Sequence, residues 1–169
     1  MRVVLIATYE MGRQPFGLAS PAAWLRRAGC DVALFDISRQ PLDMAALHDA
    51  AFIGFYLPMH TATRLALRLI PQVRRAAPHA RLCAFGLYAP LMAEPLRTAG
   101  VDTVLGGEFE AALVALATRG GRAVGTVGQV GAGGCEIHAV AARSPQTTRR
   151  GPDRAGARGV PIPVERQAG

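Results

Sequence analysis

The stretch that decides the fold is residues 51–77, "AFIGFYLPMHTATRLALRLIPQVRRAA". Its first seven residues are uninterrupted apolar chain that ends at Pro58. An apolar run of that length, closed by a proline, reads as a strand covered on both faces. Beyond Met59 and His60 the pattern changes period. Apolar residues recur at helical spacing with arginines between them, so 61–77 reads as an amphipathic helix. Pro71 removes one internal hydrogen bond there and predicts a kink. A buried strand that hands over to a helix through so short a loop is one βα unit, the building block of parallel sheets.

The same hand-over recurs along the first 118 residues. Strands are expected at "RVVLIAT" (2–8), "DVALFDI" (31–37), "AFIGFYL" (51–57), "RLCAFG" (81–86) and "DTVLGG" (102–107). Helical patterns fall at 20–29, 42–50, 61–77, 89–100 and 108–118. Ser20 followed by Pro21 looks like a helix start, and Gly29 and Gly100 stand where helix-ending glycines belong. Five such units predict an α/β fold with a doubly wound, five-stranded parallel sheet. Right-handed crossovers leave two common strand orders, and five strands fit the flavodoxin-like 2-1-3-4-5 better than half a Rossmann sheet. Residues 119–169 read differently. They are Gly- and Pro-rich, basic and without periodicity, which predicts a mostly disordered linker or tail with one strand candidate, "CEIHAVA", at 135–141. The expected domains are therefore 1–118 and 119–169.

The net charge of +7 invites a nucleic-acid reading, but its distribution argues against one. Residues 1–118 carry 11 Arg against 9 acids, while 119–169 carry 8 Arg against 3, and lysine is absent throughout. Neither a nucleic acid nor a membrane is expected as partner. The opening "MRVVLIATYE" has too short an apolar run for a membrane span or a signal core, which predicts a cytoplasmic protein. Cys30, Cys83 and Cys135 stand far apart, and no CxxC or CxxxCxxC occurs. This chain by itself is thus not expected to build a zinc site or an iron–sulfur cluster.

In the order 2-1-3-4-5, ligands bind at the carboxyl ends of the strands, where the order reverses between strands 1 and 3. The usual occupants do not match the loops found there. A phospho-acceptor domain needs an aspartate ending strand 3, and Tyr56-Leu57-Pro58 stands in its place. Asp36 could supply the acid of a dinucleotide site, yet G-x-G-x-x-G is missing, because Gly12 and Gly17 are too far apart. Loop 1 instead offers Tyr9, Met11 and Phe16. Loop 3 offers Tyr56, Leu57, Pro58, Met59, His60 and Thr61, loop 4 has Gly86, Leu87 and Tyr88, and loop 5 has Gly106, Gly107 and Glu108. Glycines let a backbone lie close to a flat partner, and aromatics supply broad contact. The lining suits a large planar ligand better than a phosphorylated one.

"GFYLPMHTATRLA" (54–66), "FGLYAPL" (85–91) and "VDTVLGGEFEAAL" (101–113), in that order, resemble the cobalamin-binding domain at the N-terminus of B12-dependent radical S-adenosylmethionine proteins. The resemblance covers about residues 1–118. It implies cobalamin as cofactor, with the nucleotide tail enclosed by Tyr56 to Thr61 and Gly86 to Tyr88, and Gly106 to Glu110 forming the last turn. It also implies a radical S-adenosylmethionine catalytic domain, in cis or in trans, to hold the iron–sulfur cluster and S-adenosylmethionine. The D-x-H-x-x-G that ligates cobalt in methionine-synthase-type domains is absent from loop 1. No catalytic residue and no protein ligand to a metal is therefore assigned.

Blander roles compete at each position. His60 could face solvent, and Thr61 and Thr63 could cap a helix. Tyr56 and Tyr88 could be plain packing, and Glu108 and Glu110 could serve only the helix dipole. Two other functions stay open beside cobalamin binding: a flavodoxin-like scaffold or interaction module that has lost its ligand, and a flavin or nucleotide binder.

Overall fold

The computed structural model describes residues 1–118, and the expected linker, with its strand candidate at 135–141, lies outside the described residues. The elements are β1 (Arg2–Ala7), α1 (Phe16–Arg27), β2 (Asp31–Asp36), β3 (Phe52–Tyr56), α2 (His60–Ala76), β4 (Arg81–Phe85), α3 (Ala93–Ala99), β5 (Thr103–Leu105) and α4 (Glu110–Thr118). The five strands form one parallel sheet in the order β2-β1-β3-β4-β5, which is the flavodoxin-like order. Among the described residues no helix is long and apolar enough to cross a membrane.

Alternation along the strands divides the core. Val4 and Ile6 of β1 join Ile53 and Phe55 of β3 under α2, where Ala66, Ile70 and Val73 cover them. Val3 and Leu5 point to the other face, with Phe52, Cys83 and Phe85, beneath Leu18 and Leu25 of α1 and Leu113 of α4. Both faces are covered, which explains the unbroken apolar strands.

Several local expectations are revised. The first helix begins at Phe16, not Ser20, so Pro21 lies inside it. Leu18 N–H already donates to Pro15 O at 3.1 Å, and the Ser20 hydroxyl donates to Glu110 Oε1 at 2.8 Å, tying α1 to α4 instead of capping. The helix expected at 42–50 shrinks to one 3-10 turn, Ala45–Leu47. The Asp43 carboxylate accepts the Ala45 N–H at 2.9 Å there, and such a side chain competes with longer helix. The 89–100 pattern splits into a 3-10 turn, Pro90–Met92, and α3. Pro95 explains the break, since its ring excludes the carbonyl of Leu91 while being tolerated in the first turn of α3. Gly29 and Gly100 end their helices with φ of 82° and 113°, as expected. Pro71 lies within α2, which runs as one helix across it.

Two arginines finish the frame. Arg74 of α2 donates to Ala80 O, Gly100 O and Asp102 Oδ2, each at 2.7 Å. The same Asp102 oxygen accepts the Leu82 N–H at 2.7 Å, so one clasp joins α2 to the amino ends of β4 and β5. Arg26 of α1 donates to Val32 O at 3.0 Å on the edge strand β2.

Candidate functional site

All five strands end at one edge of the sheet, and α1 and α2 leave β1 and β3 toward opposite faces. The loops after β1 and β3 therefore part, at the point where ligands bind in this topology. The base of the first loop is anchored. Thr8 is 2 % exposed, and its hydroxyl donates to Ala62 O in the first turn of α2 at 2.7 Å. Beyond Tyr9, the chain reverses at Glu10–Arg13, closed by Arg13 N–H donating to Glu10 O at 2.9 Å. Met11 and Gly12 occupy the two positions with positive φ, 48° and 74°, as a type I′ turn requires. Arg39 donates to Gly12 O at 2.8 Å and ties this turn to the end of β2. Burial, and then the neighbouring Asp36 charge, raise the Glu10 pKa above that of an ordinary carboxyl.

Tyr56 turns to the α1 side. A Cβ on Gly17 would lie 2.0 Å from its ring, so glycine there is what admits the tyrosine. The ring packs 5.7 Å from Phe85 and 6.3 Å from Phe109, and those two stand 4.9 Å apart. Burial, followed by the Glu10 charge, raises the Tyr56 phenol pKa. Phe109 sits in "GGEFE", where nothing in the sequence marks it as a partner of Tyr56 and Phe85.

Loops 3 and 4 are joined at their bases. Leu57 N–H donates to Phe85 O at 2.7 Å, and Tyr88 N–H donates to Leu57 O at 3.0 Å. Gly86 has a φ of 114°, and its missing Cβ would stand 2.8 Å from Leu57 O. The close neighbour of Gly86 is thus the chain's own backbone. Above it, His60 meets Tyr88 edge to face at 6.3 Å. Met59, at the N-cap, offers no side-chain bond. Neither threonine caps α2. Thr61 is exposed, and the Thr63 hydroxyl donates backward to Met59 O at 3.0 Å.

Loop 5 crosses close to loop 4, since a Cβ on Gly106 would lie 2.5 Å from the Pro90 ring. Gly107, with φ of 64°, has nothing near it, and Glu108 is exposed ahead of α4. The rim carries large apolar side chains in water: Met11 is 63 % exposed, Phe16 78 %, Leu87 76 % and Leu91 71 %. Pro58 is half-buried beside them. Among the described residues no group of three or more His, Cys, Asp or Glu could hold a metal ion.

Residues 2–117 match the sequence model of the family described as the B12 binding domain. Among solved structures, the chain is similar to a response regulator protein from Burkholderia pseudomallei, at 21% identity and a TM-score of 0.50. That alignment covers 69% of this chain and 66% of the regulator, so the chain spans just under two thirds of that protein. It is also similar to a flavodoxin from the domain Archaea, at 16% identity and a TM-score of 0.51, over 68% of this chain and 91% of the flavodoxin. At such identities the likeness is one of fold. No curated protein matches the chain.

Proposed function

The chain belongs to the B12-binding domain family, and from that premise we propose that it is a cobalamin-holding module serving a radical S-adenosylmethionine catalytic domain. The observation that carries this is the rim. Met11, Phe16 and Leu87 are each more than half exposed at the ends of β1 and β4, and loops 3 and 4 bear no acid or arginine through "YLPM" and "FGLYAP". Uncharged loops 3 and 4 beside exposed apolar side chains fit a broad, flat macrocycle with neutral amide arms, and apolar side chains standing in water gain by being covered.

In this reading Tyr9, Met11 and Phe16 border one side of the corrin, Leu87 and Tyr88 the other, and Gly106, Gly107 and Glu108 close the far end. Tyr56 shapes the floor through its aromatic packing. Pro58, Met59, His60 and Thr61 face the nucleotide tail, over a base formed by buried Leu57 and by Gly86, whose open side is filled by Leu57 backbone. When bound, cobalamin supplies a cobalt centre able to carry a methyl group. The protein's own part is to hold and orient it, and residues 1–118 suffice for this. The iron–sulfur cluster and S-adenosylmethionine belong to the catalytic domain, whose CxxxCxxC this sequence lacks, and the pair acts in the cytoplasm.

Hydroxocobalamin added to the purified protein should be retained through gel filtration as a coloured complex with a base-off spectrum. Protein that emerges colourless would overturn the proposal. That outcome would instead favour a scaffold without ligand, a reading supported by the two backbone bonds joining loops 3 and 4 at Leu57. A yellow flavin complex would favour the third reading.

A further inference from the structure

The two helices on the α1 side of the sheet lack a charged outer face. A surface helix ordinarily turns charges to water, yet Phe16–Leu25 of α1 and Ala111–Thr118 of α4 hold no ionisable residue. Ala23 and Ala111 are exposed, and Val114, Ala115 and Leu116 are only half-buried. Trp24 is 48 % exposed. We propose that this face binds a second copy of the chain, with the helices of the two copies antiparallel about a twofold axis near Ala23. The proposal does not depend on what the strand ends bind.

The arrangement of charge at the two ends of the face selects that partner. Both helices run against the strand direction, side by side. The Ser20 hydroxyl bond to Glu110 sets the first turn of α4 level with the second turn of α1. Glu108 and Glu110 therefore stand at the end of the layer nearest the carboxyl ends of the strands, and Arg26 and Arg27 at the opposite end. Arg26 is occupied by Val32 O, and Arg81 reaches the same end to donate to Leu116 O at 3.2 Å. Arg27 is exposed and, among the described residues, has no ion pair.

A face that is apolar in the middle, acidic at one end and basic at the other complements itself in one sense only. Copies related by an axis along the helices would set acids on acids and arginines on arginines. An axis across the helices brings Arg27 of each copy toward the acidic end of the other, which is the reciprocal contact of a twofold interface. With the axis near Ala23, alanine meets alanine, so the backbones can approach to the short end of the usual 8–10 Å helix spacing. Trp24, next to it, is then covered, and so gains by leaving water. The opposite layer offers no such meeting. Arg64, Arg68 and Arg75 stand exposed along α2, which carries no acid, so two copies would repel there.

The size of the face sets the strength of the pair. The twelve residues of α1 run for about 18 Å, and two such helices make a face about 20 Å wide. That footprint is smaller than the roughly 800 Å² per partner of a standard interface. The dimer is thus a reversible one that dissociates on dilution.

Trp24 is the single tryptophan of the chain, so its fluorescence reports on this face alone. Sedimentation equilibrium of the full chain from about 5 to about 500 µM should show monomer passing to dimer, with acrylamide quenching of Trp24 falling over the same range. Ala23→Glu puts like charges together at the axis, and Arg27→Glu sets acid against acid. Each should weaken dimerisation at least about tenfold while keeping the far-ultraviolet circular dichroism of the wild type. A monomer throughout, a dimer whose Trp24 stays as quenchable as in the monomer, or either folded variant dimerising like the wild type would overturn the proposal. Trp24 shielded equally at every concentration would also overturn it, and would give the face to residues 119–169 of the same chain.

Discussion

Replacing Gly86 by alanine should destabilise the domain far more than one added methyl implies. A side chain at φ of 114° is strained, at about 1–2 kcal/mol. The new Cβ would also stand 2.8 Å from Leu57 O and 3.1 Å from Leu57 C, which are backbone atoms and cannot rotate away. Moving Leu57 weakens its bonds to Phe85 and Tyr88, each worth about 1 kcal/mol net. Against this, alanine stiffens the unfolded chain, which returns about 0.5–1 kcal/mol. The net loss is about 2 kcal/mol, a fall in melting temperature of about 8 °C for a domain of this size. The control is Gly107→Ala. Its φ of 64° carries strain, but no atom lies within 4 Å of the added carbon, so about 1 kcal/mol is expected. Thermal melts followed by circular dichroism decide. A Gly86→Ala protein that melts no lower than Gly107→Ala would refute the claim that Leu57 backbone fills the space.

Three further expectations concern side chains. His60→Ala should leave the base-off spectrum of bound cobalamin unchanged, because the proposed site uses His60 beside the nucleotide tail and not beneath the metal; a shifted spectrum would make the histidine a ligand. Glu10 has a raised pKa, so the folded state holds its proton more tightly than the unfolded chain, and stability falls as pH rises from about 4.5 through the raised value. Glu10→Gln should accordingly raise the melting temperature at pH 7 and change it little at pH 4, and an equal effect at both would sink the assignment. Arg74→Ala removes three donated bonds and strands Asp102. About 2–3 kcal/mol should be lost in urea denaturation, largely shared with Asp102→Ala in a double-mutant cycle, and simple additivity would show that the clasp does not act as a unit.

The strand order was legible because β1, β3 and β4 are buried on both faces, and that leaves an uninterrupted apolar signature. Helix starts were less so. Ser20-Pro21 has the composition of a cap, yet Phe16, Gly17 and Leu18 extend α1 by a turn. Only the distant Glu110 explains where the Ser20 hydroxyl goes. The site divides in the same way. The loops that flank the switch point follow from topology, and so could be named from the chain alone. What each glycine accommodates could not, since Gly17 serves a ring 39 residues away and Gly106 a proline in another loop. Asp102 sat in plain view within "VDTVLGG", but its use is set by Arg74, which helical periodicity presents as merely another surface arginine.

The place of β1 at the middle of the sheet bears on how the protein is made. Its apolar "RVVLIA" leaves the ribosome before the strands it pairs with, and both its edges are satisfied only when β3 has followed, about fifty residues later. At about 5–20 residues per second, that delay lasts roughly 2–10 s. Through that interval the nascent chain presents a bare, sticky strand with β2 as its sole native neighbour. Any substitution that slows translation or folding between residues 36 and 52 therefore lengthens the exposure of the segment least suited to it, and lowers soluble yield without touching the stability of the finished domain.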